Sequence, residues 1–223
     1  MGKINSPLSS LKDYAKQELR DLIIANELKP GQRIVETEVA KRLGISQVPV
    51  REALRGLEEE GLVCSVKYKG AFVTEINYAD IFYIFSLRSE LEATAVSVIL
   101  PRLTRRDLGE LYDIVEQMAL EIKNNNYHLL PGIDMRFHSR IIQLSNIECY
   151  HRIWNMLDGH IRRFIAYIHP IIPHKHEELY EDHKLLIRVL EERAIDKAQA
   201  AFKAHIMEFF NKNQGAIKLG AND

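Results

Sequence analysis

Cysteine is nearly absent from this sequence, with Cys64 and Cys149 alone among 223 residues. Their wide separation argues against a disulfide framework and against a thiolate metal site. Two buried free thiols in a reducing compartment are expected instead. Long apolar runs are also missing. Nothing approaches the roughly 20 residues that a membrane-spanning helix needs. The opening residues Met1-Gly2-Lys3-Ile4-Asn5-Ser6-Pro7 lack the apolar core and cleavage site of a secretory leader. A cytoplasmic protein with no membrane partner is therefore expected. Neither sign of charge dominates: 30 Lys and Arg stand against 31 Asp and Glu. Over residues 1–75 the counts are 12 and 11, a net of +1. That balance excludes a polycation holding nucleic acid by bulk charge, so any DNA binding must rest on local placement of Arg and Lys.

What is present is strong periodicity. Leu11, Tyr14, Ala15, Leu19, Leu22 and Ile23 share one helical face, and Pro30-Gly31 closes that helix with a turn. A short helix is predicted over 36–43, with Val39, Ala40 and Leu43 as its apolar stripe. Gly44 can take the left-handed conformation of a tight turn. Ser46 is placed to cap the next helix, and Pro49 fits its first turn. Val50, Ala53, Leu54 and Leu57 form the buried face of that helix. Beyond Gly61 the period shortens, and 62–66 and 71–74 read as strands joined by Lys67-Tyr68-Lys69-Gly70. Three helices and a hairpin with a basic tip make a winged helix-turn-helix over 1–76.

Strand signals end there. Helical patterns cover about 78–100, 104–124, 127–145, 148–169, 175–193 and 196–213. They are broken at Pro101, Asn124-Asn125-Asn126, Ser145-Asn146, 170–173 and 194–196. Thr104 and Asp107 have capping-box spacing, and Asp196 is placed to cap the last helix. The fold class is thus mainly α, a winged helix-turn-helix followed by an all-α antiparallel helical bundle over 77–214. Residues 215–223 read as a flexible tail.

A recognition helix presents its first residues to base edges while flanking cations hold phosphates. Ser46, Gln47 and Val48 stand at that position, and Arg51 follows one turn after Gln47. Arg can fork onto guanine and Gln onto adenine. Arg55 suits a phosphate, and Lys67 and Lys69 suit the backbone or the minor groove. Thr37 and Gly70 complete the candidate set. A helix-Gly-helix spacing also occurs without DNA, and exposed arginines are often only solvated; the basic hairpin favours nucleic acid.

In the bundle, Asp134 and His138 fall at i, i+4 on one helix face. His183 and His205 lie beside apolar stripes in the two closing helices. Each alone reads as readily as a hydrogen-bonded core histidine. Converging, they would offer a divalent transition metal one carboxylate and three imidazoles, with positions left open. His169, His174 and His176 form a second group around Pro170 and Pro173, read as exposed loop residues. Arg88 suits a carboxylate ligand through its planar fork, or else pairs with Glu92 at i, i+4. Asn146 and Arg162 are further effector candidates, although Asn146 also suits capping the helix that begins near Glu148.

Leu28-Lys29-Pro30-Gly31, Gly44-Ile45-Ser46, Pro49-Val50-Arg51-Glu52-Ala53-Leu54 and Glu60-Gly61-Leu62-Val63 resemble the N-terminal domain of GntR-family transcription regulators. The helical remainder resembles the FadR-type C-terminal ligand domain, the FCD class. The family's usual Ser-Arg-Thr-Pro-Val-Arg-Glu stands here with Gln47 and Val48 in place of Arg and Thr, so a different operator is expected. Metal-binding FCD regulators carry an Asp and a His four positions apart on one helix, and one His on each of two later helices. Asp134, His138, His183 and His205 match those positions. The resemblance implies a homodimer on a palindromic double-stranded operator and a small organic-acid effector meeting the metal and Arg88. Repression relieved by ligand is the arrangement it implies. Irving–Williams ordering and three imidazoles favour zinc or nickel, with manganese also within the family's range. Two alternatives stand beside this non-enzymatic reading. One is a metal-dependent hydrolase-like bundle fused to a winged helix; the other is a winged-helix adaptor that binds protein.

Overall fold

A computed structural model describes residues 10–168 and 176–219 of the chain, which divides into two compact units at Ile76 and Asn77. In the first unit, α1 (Leu11–Ile24) opens on Ser10, whose hydroxyl accepts the Asp13 backbone N–H. It buries Ala15, Leu19 and Ile23. Helix α2 (Glu36–Leu43) leads to α3 (Gln47–Glu59), which turns Val50, Ala53, Leu54 and Leu57 into the same core. Strands β2 (Val63–Val66) and β3 (Gly70–Val73) form the hairpin read from the sequence. A third strand, β1 (Arg33–Ile34), pairs antiparallel with β3 and makes the order β1-β3-β2. Two residues are too few for a period-2 signal, so this strand was invisible in the sequence.

Backbone turns fix the angles between these helices. Gly44 sits at φ +68°, with the Ile45 N–H bonded to Ala40 O at 3.1 Å. Gly61 repeats the arrangement at φ +73°, with the Leu62 N–H on Leu57 O at 3.0 Å. Both are Schellman turns, in which a left-handed residue closes the helix end and satisfies its last carbonyls. Ser46 occupies the cap position of α3 but makes no side-chain cap bond. Ion pairs tie the far end of α3 back to α1: the Glu60 carboxylate accepts from Lys16 Nζ and an Arg20 terminal nitrogen, both at 2.7 Å.

In the second unit, α4 (Tyr78–Ile99) is the central helix and packs against α6 (Leu130–Ser145), α7 (Glu148–Ile168) and α9 (Ile195–Leu219). Helix α5 (Arg105–Lys123) packs against α6 and α8 (His176–Glu191). The capping box of α5 is present: Thr104 Oγ1 accepts the Asp107 N–H at 3.1 Å, and the Asp107 carboxylate accepts the Thr104 N–H at 2.9 Å. Asn125 and Asn146 close α5 and α6 in the left-handed region, at φ +58° and +52°, where a short polar side chain is tolerated. Asn146 thus ends α6 and does not cap α7. Carbonyls left open near the helix junctions are taken by Arg102, which donates to Leu144 O and Ser145 O, and by Arg193, which donates to Leu100 O and Leu103 O.

Several sequence expectations shift. The helix expected from 127 begins with a separate 3-10 turn, Tyr127–Leu129, because Pro131 fits the first turn of α6 but could not continue a helix from before it. Asp196 lies in the first turn of α9 and not at its cap. Helix α9 continues through Gly215 to Leu219, where a tail was expected. Both cysteines are exposed, since Cys64 points outward from β2 and Cys149 lies on the open side of the first turn of α7. His176 is partly buried, stacked on Tyr127 at 3.9 Å; His169 and His174 lie outside the described residues. No helix is long and apolar enough to cross a membrane among the described residues.

A Cβ at Gly44 would meet nothing within 4 Å, so strain there comes from φ alone. Gly44→Ala is expected to lower the unfolding free energy by about 1–2 kcal/mol in urea denaturation, and Gly44→Asn by less.

Candidate functional site: a recognition helix and a buried cluster of one aspartate and three histidines

Helix α3 is gripped by its apolar face, which leaves the opposite side free. Ser46, Gln47, Val48, Arg51 and Arg55 are all exposed, Val48 at 64%. Arg51 does not hang free. Glu36, at the start of α2, accepts from Arg51 Nε at 3.1 Å and from a terminal nitrogen at 2.8 Å. This pair ties the guanidinium to the start of α2. The sequence reading missed Glu36; its signal was an acidic residue in the first turn of the helix before the turn. Thr37, beside it, is exposed on the same first turn of α2.

The hairpin is anchored at its root, where Glu58 accepts both the backbone N–H and the hydroxyl of Ser65 at 2.9 Å. At its tip Lys67, Tyr68, Lys69 and Gly70 are exposed, with Lys67 Nζ 5.1 Å from the Tyr68 ring centre. Tyr68 is 94% exposed and holds φ +65°, a conformation uncommon for a bulky residue. Gly70, at φ +99°, is confined to glycine by its backbone. The candidate DNA-contacting residues therefore lie on the surface of one unit, on α2, α3 and the hairpin tip.

In the second unit, three helices bring four donors together. Helix α6 supplies Asp134 and His138, α8 supplies His183 and α9 supplies His205; one ligand atom of each lies within 4.8 Å of the others. Metal–nitrogen and metal–oxygen bonds of about 2.0–2.2 Å place donors around one ion some 3–4 Å apart, so the cluster is close to the right size. His138 and His183 are fully buried, while the Asp134 side chain is 14% exposed.

The outward nitrogens are fixed. His138 Nδ1 faces Glu92 Oε2 at 2.5 Å, and His183 Nδ1 faces Leu179 O at 2.8 Å. A carboxylate and a carbonyl only accept, so each Nδ1 carries its proton and donates. In the neutral ring the Nε2 lone pair then points into the cluster. There His183 Nε2 lies 3.1 Å and His138 Nε2 3.7 Å from Asp134 Oδ1, and neither Nε2 has a hydrogen-bond partner among the described residues. Two lone pairs and a carboxylate oxygen facing one point call for a cation between them, either a proton or a metal.

The electrostatics agree. Burial pushes the Asp134 carboxyl up, but the adjoining His138 and His183 reverse this and hold it well below the usual carboxylate range. Burial, reinforced by His183 and His138, holds His205 well below a free imidazole, so it is neutral and can donate its lone pair. His138 is pushed down by burial, yet the charge of Glu92 prevails and raises it. Glu92 itself is raised by burial and brought below its ordinary value by His138 and Arg88.

Glu92, on α4, is the residue sequence reading placed only as a partner of Arg88. Both roles are present: Arg88 Nε donates to Glu92 Oε1 at 2.7 Å while His138 uses the other oxygen. Arg88 is buried, its guanidinium carbon 5.7 and 5.8 Å from the Phe85 and Trp154 ring centres. Arg162 pairs with Asp158 at 2.7 Å on α7. Asn146 is exposed at the end of α6, about 12 Å along the helix from His138 at 1.5 Å per residue. No described contact brings either to the cluster.

Residues 11–73 match the family described as bacterial regulatory proteins, gntR family, and residues 83–208 match the FCD domain. The chain is 27% identical to the HTH-type transcriptional regulator YdhC of Bacillus subtilis, over 97% of this chain and 94% of that protein. It is 24% identical to the HTH-type transcriptional repressor RspR of Escherichia coli, over 91% and 89% respectively. The solved structure of E. coli McbR/YncC shares its fold with a TM-score of 0.78 at 24% identity, covering 96% of this chain and 99% of the other. These relatives are regulators, not enzymes. The two matches, over the helix-turn-helix with its hairpin and over the helical unit that follows in sequence, place the chain in the GntR family, as a DNA-binding transcription regulator with an FCD domain.

Proposed function

We propose that this regulator is a homodimeric repressor whose effector domain holds a divalent transition metal, zinc or nickel, through Asp134, His138, His183 and His205. The observation that carries the metal reading is the pair of orphaned Nε2 atoms of His138 and His183 facing Asp134 Oδ1. A divalent ion there would supply a Lewis-acidic contact for a carboxylate effector. Arg88 is the protein's own group for the same ligand, since a guanidinium offers five N–H donors and only its Nε is engaged by Glu92. A hydrolase needs a general base beside the metal. The buried carboxylate next to the cluster, Glu92, is committed on both oxygens to Arg88 and His138, which disfavours that alternative.

For DNA, Gln47, Val48 and Arg51 read base edges in the major groove. Thr37, Ser46, Arg55, Lys67, Lys69 and Gly70 hold the backbone or the minor groove. The first 75 residues carry a net charge of only +1. One unit therefore relies on the few cations it places at phosphates, and two half-sites on a palindrome double those contacts. The repressor named RspR among its relatives supports repression, relieved when effector binding changes how the two recognition helices are held.

Two experiments test these parts separately. Arg51→Ala should weaken binding to duplexes selected from a random pool by the wild-type protein. A loss of about 1–3 kcal/mol is expected for one bidentate base contact, read by fluorescence anisotropy at fixed salt. Unchanged affinity would remove Arg51 from the interface. Elemental analysis of purified protein should find about one transition-metal ion per chain, lost in His183→Ala and in Asp134→Ala. A wild-type protein that takes up neither zinc nor nickel after exposure to each would sink the metal reading while leaving the DNA reading intact.

A further inference from the structure

We infer that Glu92 is the positioning residue of the cluster: without touching the metal, it sets how tightly the metal is held. This rests on the metal reading above. Helix α4 gives the cluster no ligand, yet it packs against α6 and α9, which carry three of the four. Its contribution is one carboxylate with no exposed surface, whose two oxygens serve two different partners.

Each of those contacts has a consequence. The 2.5 Å contact to His138 Nδ1 fixes the proton on that nitrogen and aims Nε2 at Asp134. His183 obtains the same outcome from a backbone carbonyl, which is neutral. Among the described cluster histidines, His138 is the one oriented by a charged acceptor, and a carboxylate partner makes the opposite nitrogen a stronger donor to a cation. The contact to Arg88 keeps the carboxylate in place. Arg88 is itself buried beside the Phe85 and Trp154 rings, so Glu92 cannot swing away from His138 without giving up a buried charge pair.

The competing role is purely structural, with Glu92 serving only as the counter-ion of a buried Arg88. Glu92→Gln keeps the side-chain volume but has one acceptor oxygen for two donors, and its amide would press His138 toward the wrong tautomer. Zinc affinity, measured by chelator competition on the full chain, should fall about ten- to a hundredfold. The cobalt(II) form should show a displaced visible band. The double variant Arg88→Met with Glu92→Gln removes both members of the charge pair, so no guanidinium is left buried alone. It carries the test if the single variant does not fold. Weakened zinc binding in the folded double variant supports the positioning role. Zinc affinity and cobalt spectrum equal to wild type in either folded variant would overturn it while leaving the metal reading standing. A wild-type chain that binds no metal would overturn both.

Discussion

Burying ionisable groups inside a helical bundle is costly unless each is paired, and the second unit is organised around one such pairing. Glu92 lies on α4 with Arg88 on one oxygen and His138 on the other. An unpaired carboxylate there would cost several kcal/mol, which is why buried charges occur in pairs and with their hydrogen bonds satisfied. The pairing does more than offset desolvation. It links α4 to α6, fixes the protonated nitrogen of His138, and so determines which atom that ring turns toward Asp134. The apolar groups around it, among them Phe85, Phe137 and Trp154, exclude water and strengthen each of these contacts.

The first unit is governed by backbone conformation rather than by buried charge. Schellman turns at Gly44 and Gly61 set where α3 begins and ends relative to α2 and the hairpin. Its recognition surface is then arranged by two carboxylates. Glu36 orients Arg51, and Glu58 binds the root of the hairpin to the end of α3. Each carboxylate also lowers the net positive charge of the unit. The near-neutral balance of the first 75 residues therefore reflects cations that are held in position as well as counted.

Most of the architecture was legible because it depends on local signals. Apolar spacing located the helices, Thr104 with Asp107 gave the capping box, and the asparagines at 125 and 146 marked helix ends by tolerating left-handed backbone. Helical spacing put the four donors beside apolar stripes, but it was the resemblance to metal-binding FCD regulators that joined them into one set. The structure brings one ligand atom of each within 4.8 Å of the others. What escaped depended on distance along the chain. Strand β1 is too short to show a period and exists because β3 offers it an edge. Glu36 and Arg51 are 15 positions apart, and Glu92 and His138 are 46 apart. No pattern in sequence states that such pairs meet. Burial of the cysteines was inferred from residue type alone, and the outward-facing positions of Cys64 and Cys149 decided otherwise.

On the metal reading proposed above, the same cluster is both a cost and a function. Without a cation between them and Asp134 Oδ1, the buried Nε2 lone pairs of His138 and His183 would each cost about 1–3 kcal/mol. Filling the space between α6, α8 and α9 with apolar side chains would remove that cost. On that reading, the second unit is less stable without a cation at that point than its helices allow, and a proton or a metal ion there returns the deficit. A domain built in this way has its stability linked to occupancy. On the proposed function, that link would give a bound ion leverage over the helices that surround it.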